Sequence, residues 1–189
     1  SAIRQIDVVE VARPELVALR DATECAAYLS LWGDRGPGIV LKVDGPRQGS
    51  LAVRLGYVLP TTPSATGRVF LAFLDPGDMG RTRPEDEDGW VSLPPDELEA
   101  ALAEVREQGY AFTSNSINTG FAAVAAPVFG FDGRIAAVVT ILGSHRMLAG
   151  ATRKTAIAAL LDTSRSVSAK LGHVADGIAD DGIDLKSAK

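Results

Sequence analysis

The sequence is poor in the residues that build disulfide frameworks, metal centres and nucleic-acid surfaces. Its 189 residues include one cysteine, Cys25, and two histidines, His145 and His173. A single cysteine excludes an internal disulfide framework. One cysteine and two histidines also do not form the spaced ligand pattern of a zinc site. The 19 basic residues are outnumbered by 24 acidic ones, giving a net charge of −5. We therefore expect no metal, no cofactor and no direct grip on DNA.

Long hydrophobic runs are also missing. No apolar stretch reaches the roughly 18 residues that cross a bilayer. The opening segment, SAIRQIDVVEVARPEL, has no apolar signal-peptide core. We expect a cytoplasmic protein with no membrane partner.

What is present suffices for one buried core, because 46% of the residues are hydrophobic. Pro14 predicts a helix start, with a helix to about Glu24. Three short apolar runs, AAYLSLWG, GIVLKVDG and SLAVRLGYVLP, predict three strands, and two helices follow. Three more strands come next, the last two joined at Asp132-Gly133, a dipeptide typical of tight hairpins. A long helix from Thr152 to Gly172 closes the order α-βββ-α-α-βββ-α.

The stretch PTTPSATGRVFLAFL, which begins at Pro60, places small polar residues before an apolar run. A Walker phosphate loop is excluded because Gly67 is followed by Arg68 and has no partner glycine upstream. The glycines of GDRGPG lead into a strand, which does not fit a dinucleotide site. No serine has the sequence context of a nucleophile, so we expect no enzyme. Two interpretations stay open: free N–H groups that meet a ligand, or plain capping by Ser64 or Thr62.

Several stretches together resemble the C-terminal effector-binding domain of IclR-type transcriptional regulators. They are ARPELVALRDATECAAYLSL, LPTTPSATGRVFLAFL, the run from EVREQGYAFTS to DGRIAAVVTILGSHR, and the closing helix to AKLG. The likeness spans about Arg13 to Gly172 and rests on the order and spacing of individually weak motifs. It implies an α+β, GAF-like domain with a curved six-stranded antiparallel sheet flanked by helices and a small-molecule pocket on one side.

The resemblance also implies which residues contact the effector. By position these are Leu51, Leu59, Ser64, Ala65, Thr66, Thr113, Ala123, Thr140 and Leu142. Several regulators of the family bind small carboxylates through an acidic residue after GYA, whereas TSNS stands there in this chain. Three threonine hydroxyls among aliphatic walls predict a larger, mostly apolar acid, such as an aromatic one. Packed core is the alternative for the same residues.

The family's winged helix-turn-helix precedes this domain, but only residues 1–12 lie upstream here. We interpret residues 1–12 as a remnant of the interdomain linker, 13–173 as the effector-binding domain and 174–189 as a flexible tail. DNA contact would then come through the missing N-terminal domain. The alternative is a free-standing ligand-binding module that never touches DNA. The resemblance further implies a homodimer or tetramer.

Overall fold

A five-stranded antiparallel sheet with helices on both faces forms the centre of the protein. The computed structural model describes residues 2–46, 53–80 and 89–175, and the side chains from Val8 onward within them. The strands are β1 (Ala26–Gly33), β2 (Gly36–Val43), β3 (Ala111–Ser114), β4 (Phe121–Phe129) and β5 (Ile135–Ser144). The helices are α1 (Ala2–Thr23), α2 (Ala65–Phe73), α3 (Pro95–Gln108) and α4 (Gly150–Lys170), with a 3-10 turn at Pro76–Asp78.

The strand order across the sheet is β2-β1-β5-β4-β3. β1 and β5 therefore lie side by side in the middle although they come from opposite ends of the chain. The predicted hairpin between β4 and β5 is present, and Gly133 in its turn has a φ of 75°. A positive φ is the conformation that glycine adopts without a Cβ clash.

Side chains alternate between two cores, one on each face of the sheet. On one face, β-strand residues such as Ala27, Leu29 and Ile141 pack with α1 and α4. On the other face, Tyr28 and its neighbours pack with α2 and α3. The second face is the one that carries the candidate site.

The six-strand prediction is wrong for the part of the chain described. Residues 53–60, from the run read as the third strand, follow the free edge of β2 and form an isolated bridge, Gly38 with Val58. A turn in which the Tyr57 N–H donates to Arg54 O at 3.1 Å interrupts the run, with Gly56 at a φ of 80°. Backbone bonds such as Leu59 N–H to Pro37 O, 2.9 Å, still cover the edge. A covered edge protects β2 from pairing with another chain.

The first helix begins earlier than the sequence predicted. It runs through Pro14, although proline lacks an N–H and disfavours helix in the residue before it. Val8, Ala12, Leu16 and Leu19 are all buried at helical spacing against the sheet and α4. Packing of this face outweighs the local cost of the proline.

Candidate functional site

The polar entrance of α2 is a capped helix start. Ser64 is the N-cap: its Oγ accepts the Gly67 N–H at 2.9 Å and donates to Pro60 O at 2.5 Å. The capping interpretation therefore holds for Ser64. The N–H groups of Ala65 and Thr66, earlier in the same turn, have no acceptor among the described residues. Such groups carry partial positive charge.

Gly67 allows the helix to lie directly on the segment that precedes it. A Cβ at this position would lie 1.9 Å from Thr61 O and 2.6 Å from Thr61 C. Because both atoms belong to the backbone, no side-chain rotation could relieve the contact. The N-terminus of α2 is therefore fixed against residues 60–64.

A buried cluster of three hydroxyls lies beneath α2. Thr66 Oγ1 and Thr140 Oγ1 are 2.8 Å apart and share a hydrogen bond. The hydroxyl of Tyr28, which pairs with Thr140 across β1 and β5, bonds to both threonines. Burial raises the pKa of Tyr28 to about 12, with the two threonine hydrogen bonds acting in the opposite direction. The cluster thus links the helix to the sheet through polar contacts inside an apolar core.

The remaining predicted residues extend from this cluster along the same face. Thr113 pairs with Ala123, and Ala123 pairs with Leu142, so these three residues form one row across β3, β4 and β5. Thr140 lies two residues from Leu142 on the next row. Leu59 and Ala65 are buried in the same core. Leu51 lies outside the described residues.

Further polar groups on this side are unsatisfied. Ser30 Oγ and Thr61 Oγ1 are buried and have no hydrogen-bond partner among the described residues. Ser30 pairs with Val138, which belongs to the core under α2, so its side chain lies on the same face as Tyr28. Buried hydroxyls normally have partners, and an unpaired one is a candidate contact for water or ligand.

Sequence reasoning missed Tyr28 and Ser30. Both lie in AAYLSLWG, which reads as an ordinary apolar strand. Their alternation with Ala27 and Leu29 could have placed them on one face. Which face is covered by α2 depends on the pairing of β1 with β5, strands about 110 residues apart in the sequence.

A cleft of about 620 Å³ lies elsewhere, near the other ends of β1 and β5. It contains none of the predicted effector residues. The predicted residues that the structure describes are packed beneath α2 and are at least nine-tenths buried. The convergence of hydroxyls and N–H groups makes the α2 face the better candidate for the effector, because orientation of a ligand needs such groups.

The other singled-out residues have structural surroundings. Cys25 is fully buried, and burial raises the pKa of its thiol to about 11. The His173 ring stacks on Phe129 with centroids 5.3 Å apart. The backbone N–H of His145 donates to Gly120 O, and its imidazole Nε2 is buried with no partner among the described residues. Among the described residues, no group of three or more His, Cys, Asp or Glu side chains could hold a metal. In the same part of the chain, no helix combines the length and apolarity of a membrane span.

Comparison with known proteins agrees with this architecture. The family model described as "Bacterial transcriptional regulator IclR C-terminal" matches residues 1–169. The HTH-type transcriptional regulator RhmR of Escherichia coli is 25% identical over 176 residues, which cover 90% of this chain and 67% of RhmR. The crystal structure of Pseudomonas aeruginosa HmgR has a TM-score of 0.76 at 31% identity, covering 88% of this chain and 67% of HmgR.

The structure of Thermotoga maritima IclR has a TM-score of 0.77 at 23% identity. The match covers 88% of this chain and 69% of the Thermotoga chain, and it supports the fold. The fold and the relatives define a C-terminal regulatory domain of a bacterial transcriptional regulator, which is not an enzyme. The chain belongs to the IclR family, and its place in that family is the effector-binding domain. The alternative of a free-standing module is therefore disfavoured.

Proposed function

We propose that this domain binds a largely apolar organic acid, such as an aromatic carboxylic acid, on the face of the sheet beneath α2. In this proposal the domain acts in the cytoplasm as a GAF-like sensor whose DNA-binding partner domain lies upstream of residues 1–12. The observation that carries the proposal is the convergence of the Thr66 and Thr140 hydroxyls and the α2 N-terminus on one buried apolar face.

The chemistry of that face favours an apolar body with one polar end. Ala123 and Leu142 supply aliphatic surface between Thr113 and the threonine–tyrosine cluster. The Thr113 side chain is buried on the same face. A carboxylate could accept hydrogen bonds from Thr113 and from the N–H groups of Ala65 and Thr66. Small polar acids would leave the aliphatic surface uncovered and gain little from burial.

Ligand entry requires α2 to change its contact with the sheet. The hydroxyls of Thr66 and Thr140 satisfy each other in the closed arrangement, so the ligand must replace or share that bond. A ligand that binds the opened state better shifts the population toward it. This coupling between binding and helix position is how the domain would report the effector to the rest of the regulator.

A thermal-shift panel tests the ligand class. Benzoate, phenylacetate and larger aromatic acids are compared with glyoxylate, pyruvate and succinate. A ligand at 100 times its Kd stabilises the protein by about 2.7 kcal/mol, which is a shift of roughly 5–10 °C for a domain of this size. Aromatic acids alone should reach this shift. If the small polar acids stabilise the domain and the aromatic acids do not, the proposed ligand class is wrong.

Thr113→Val tests the position of the site for any acid that binds. The substitution removes one hydroxyl and keeps the side-chain shape, so affinity should fall about tenfold through loss of a bond to a charged group. Thr155→Val, on the exposed face of α4, is the matched control and should leave affinity unchanged. Equal affinities for both variants and the wild type would place the ligand elsewhere.

We also propose that the domain self-associates as a dimer or tetramer, since symmetric association is the usual form of soluble oligomers. Light scattering at micromolar concentrations should give a mass of at least twice the 19.8 kDa of one chain. A single-chain mass throughout that range would contradict self-association of this domain.

A further inference from the structure

The cleft already noted is independent of the face beneath α2 and lies where β1, β5 and the end of α2 meet. This cleft, of about 620 Å³, is lined by Trp32 from β1, Phe73 and Leu74 at the end of α2, Ile135 from β5 and Leu171 at the end of α4. Its volume is within the roughly 300–1,000 Å³ range of small-molecule sites. The walls combine aromatic and aliphatic groups from α1, β1, α2, β5 and the end of α4.

The aromatic wall is held in place before any ligand arrives. The Trp32 indole N–H donates to Met79 O at 3.0 Å, and its ring lies 5.3 Å from Phe70. Phe73 is fixed by an edge-on contact with Phe129, with centroids 5.4 Å apart. A pre-organised wall reduces the ordering cost of binding.

The rim of the cleft carries an excess of negative charge. Asp75, Asp78 and Asp132 line it with one guanidinium, Arg134, among the described residues. The Arg134 guanidinium pairs with Asp75 at 3.0 Å and lies 3.8 Å from Asp78, and the Arg134 backbone N–H donates to Asp132 at 3.1 Å. The local surplus of about two negative charges attracts cations and repels the acids proposed for the α2 face.

We infer that this cleft is a second ligand-binding site, for an organic cation that joins an aromatic ring to a protonated amine. The ring packs against Trp32 and Phe73, and the ammonium group donates to Asp75 or Asp78. Indole and phenyl faces also attract ammonium groups through their quadrupole. The site requires no change in the packing beneath α2.

The two sites are connected by one short helix. Thr66 at the start of α2 belongs to the proposed effector face, and Phe73 at its end lines the cleft. Seven residues separate them, about 10 Å along a helix axis. A cation bound at the end of α2 therefore contacts the same helix that must move when the effector binds.

The test uses three probes of one shape and different charge: 4-phenylbenzylamine, 4-phenylbenzyl alcohol and 4-phenylbenzoate. Binding is measured by calorimetry and by Trp32 fluorescence in a Trp90→Phe background, which leaves one of the two tryptophans. The amine should bind about tenfold tighter than the alcohol and change the Trp32 emission. Added salt should weaken binding of the amine and leave binding of the alcohol unchanged, because the carboxylates are exposed.

Variants then locate the binding. Asp75→Asn with Asp78→Asn should reduce amine affinity about tenfold, to that of the alcohol. Asp162→Asn on α4 removes one carboxylate away from the cleft and should have no effect. Leu171→Trp fills the cleft and should abolish binding of the amine and of the alcohol. Circular dichroism verifies that each variant is folded, and the comparison of probes on the wild type needs no variant.

Three results would overturn the inference: equal affinity for amine and alcohol, binding that leaves Trp32 emission unchanged, or an effect of Asp162→Asn as large as that of the double variant. A failure of the aromatic-acid panel would leave this result untouched, since the two sites share no residue and take ligands of opposite charge.

Discussion

Replacing Gly67 by alanine tests the close contact on which the candidate site is built. The new Cβ would lie 1.9 Å from Thr61 O, whereas carbon–oxygen contacts under 3.0 Å are essentially never seen. Overpacking costs about 1–3 kcal/mol, and a clash of backbone with backbone belongs at the upper end of that range. The gain of alanine over glycine inside a helix offsets about 1 kcal/mol.

We therefore expect Gly67→Ala to lower the free energy of unfolding by about 2 kcal/mol, or the Tm by roughly 4–8 °C. Urea unfolding followed by circular dichroism measures the free energy of unfolding. If its slope against urea concentration is unchanged, the substitution has changed stability alone. Gly77→Ala is the matched control: nothing lies within 4 Å of its Cβ position. It should be neutral or stabilising by up to about 1 kcal/mol. A Gly67→Ala protein as stable as the wild type would refute the packing of α2 on residues 60–64.

Three further predictions concern buried polar groups. Tyr28→Phe should cost about 1 kcal/mol at neutral pH. A folded-state pKa raised from 10 to about 12 gives stability that is complete below pH 10 and is lost as pH rises toward 12. In an alkaline urea titration the wild type should therefore lose more stability than the variant over this range. Cys25, buried with a pKa of about 11, should react with a thiol reagent only when urea unfolds the chain. Ser64→Ala should destabilise by about 1–2 kcal/mol in the same urea assay, since it removes a cap and leaves Pro60 O without its donor.

One result would contradict each of these three predictions. Equal alkaline unfolding of wild type and Tyr28→Phe would mean that burial does not raise the pKa of the Tyr28 phenol. Rapid modification of the native thiol would mean that the junction between α1 and β1 opens. A Ser64→Ala protein of wild-type stability would show that water replaces the cap.

Helix ends were predictable wherever a local signal decides them. Ser64 caps α2 as one of the two residues expected to do so. Gly109, at the end of α3, has the left-handed φ of 84° that favours glycine. The Asp132-Gly133 hairpin is of the same kind. In each of these cases the residue that ends the helix or forms the turn lies within a few residues of that end or turn.

The misses depend on contacts that are distant in the sequence. Pro14 signals a helix start, but the helix extends upstream because Val8 and Ala12 find a surface formed by the sheet and α4. The run before Pro60 has strand composition, yet the turn at Gly56 limits its pairing with β2 to a bridge. Tyr28 joins the site only because β1 pairs with β5. The cleft could not be predicted from the sequence because it is formed by five elements that are distant from one another in the chain.

The most direct test of the central claim is a methyl NMR titration of threonine-labelled protein with the aromatic acid that gives the largest thermal shift. The account predicts that the methyl signals of Thr66, Thr113 and Thr140 move with one common Kd, while those of Thr152 and Thr155 on α4 stay in place. Saturable shifts confined to α4 or to other threonines, with Thr66, Thr113 and Thr140 unmoved, would show that the effector does not bind beneath α2.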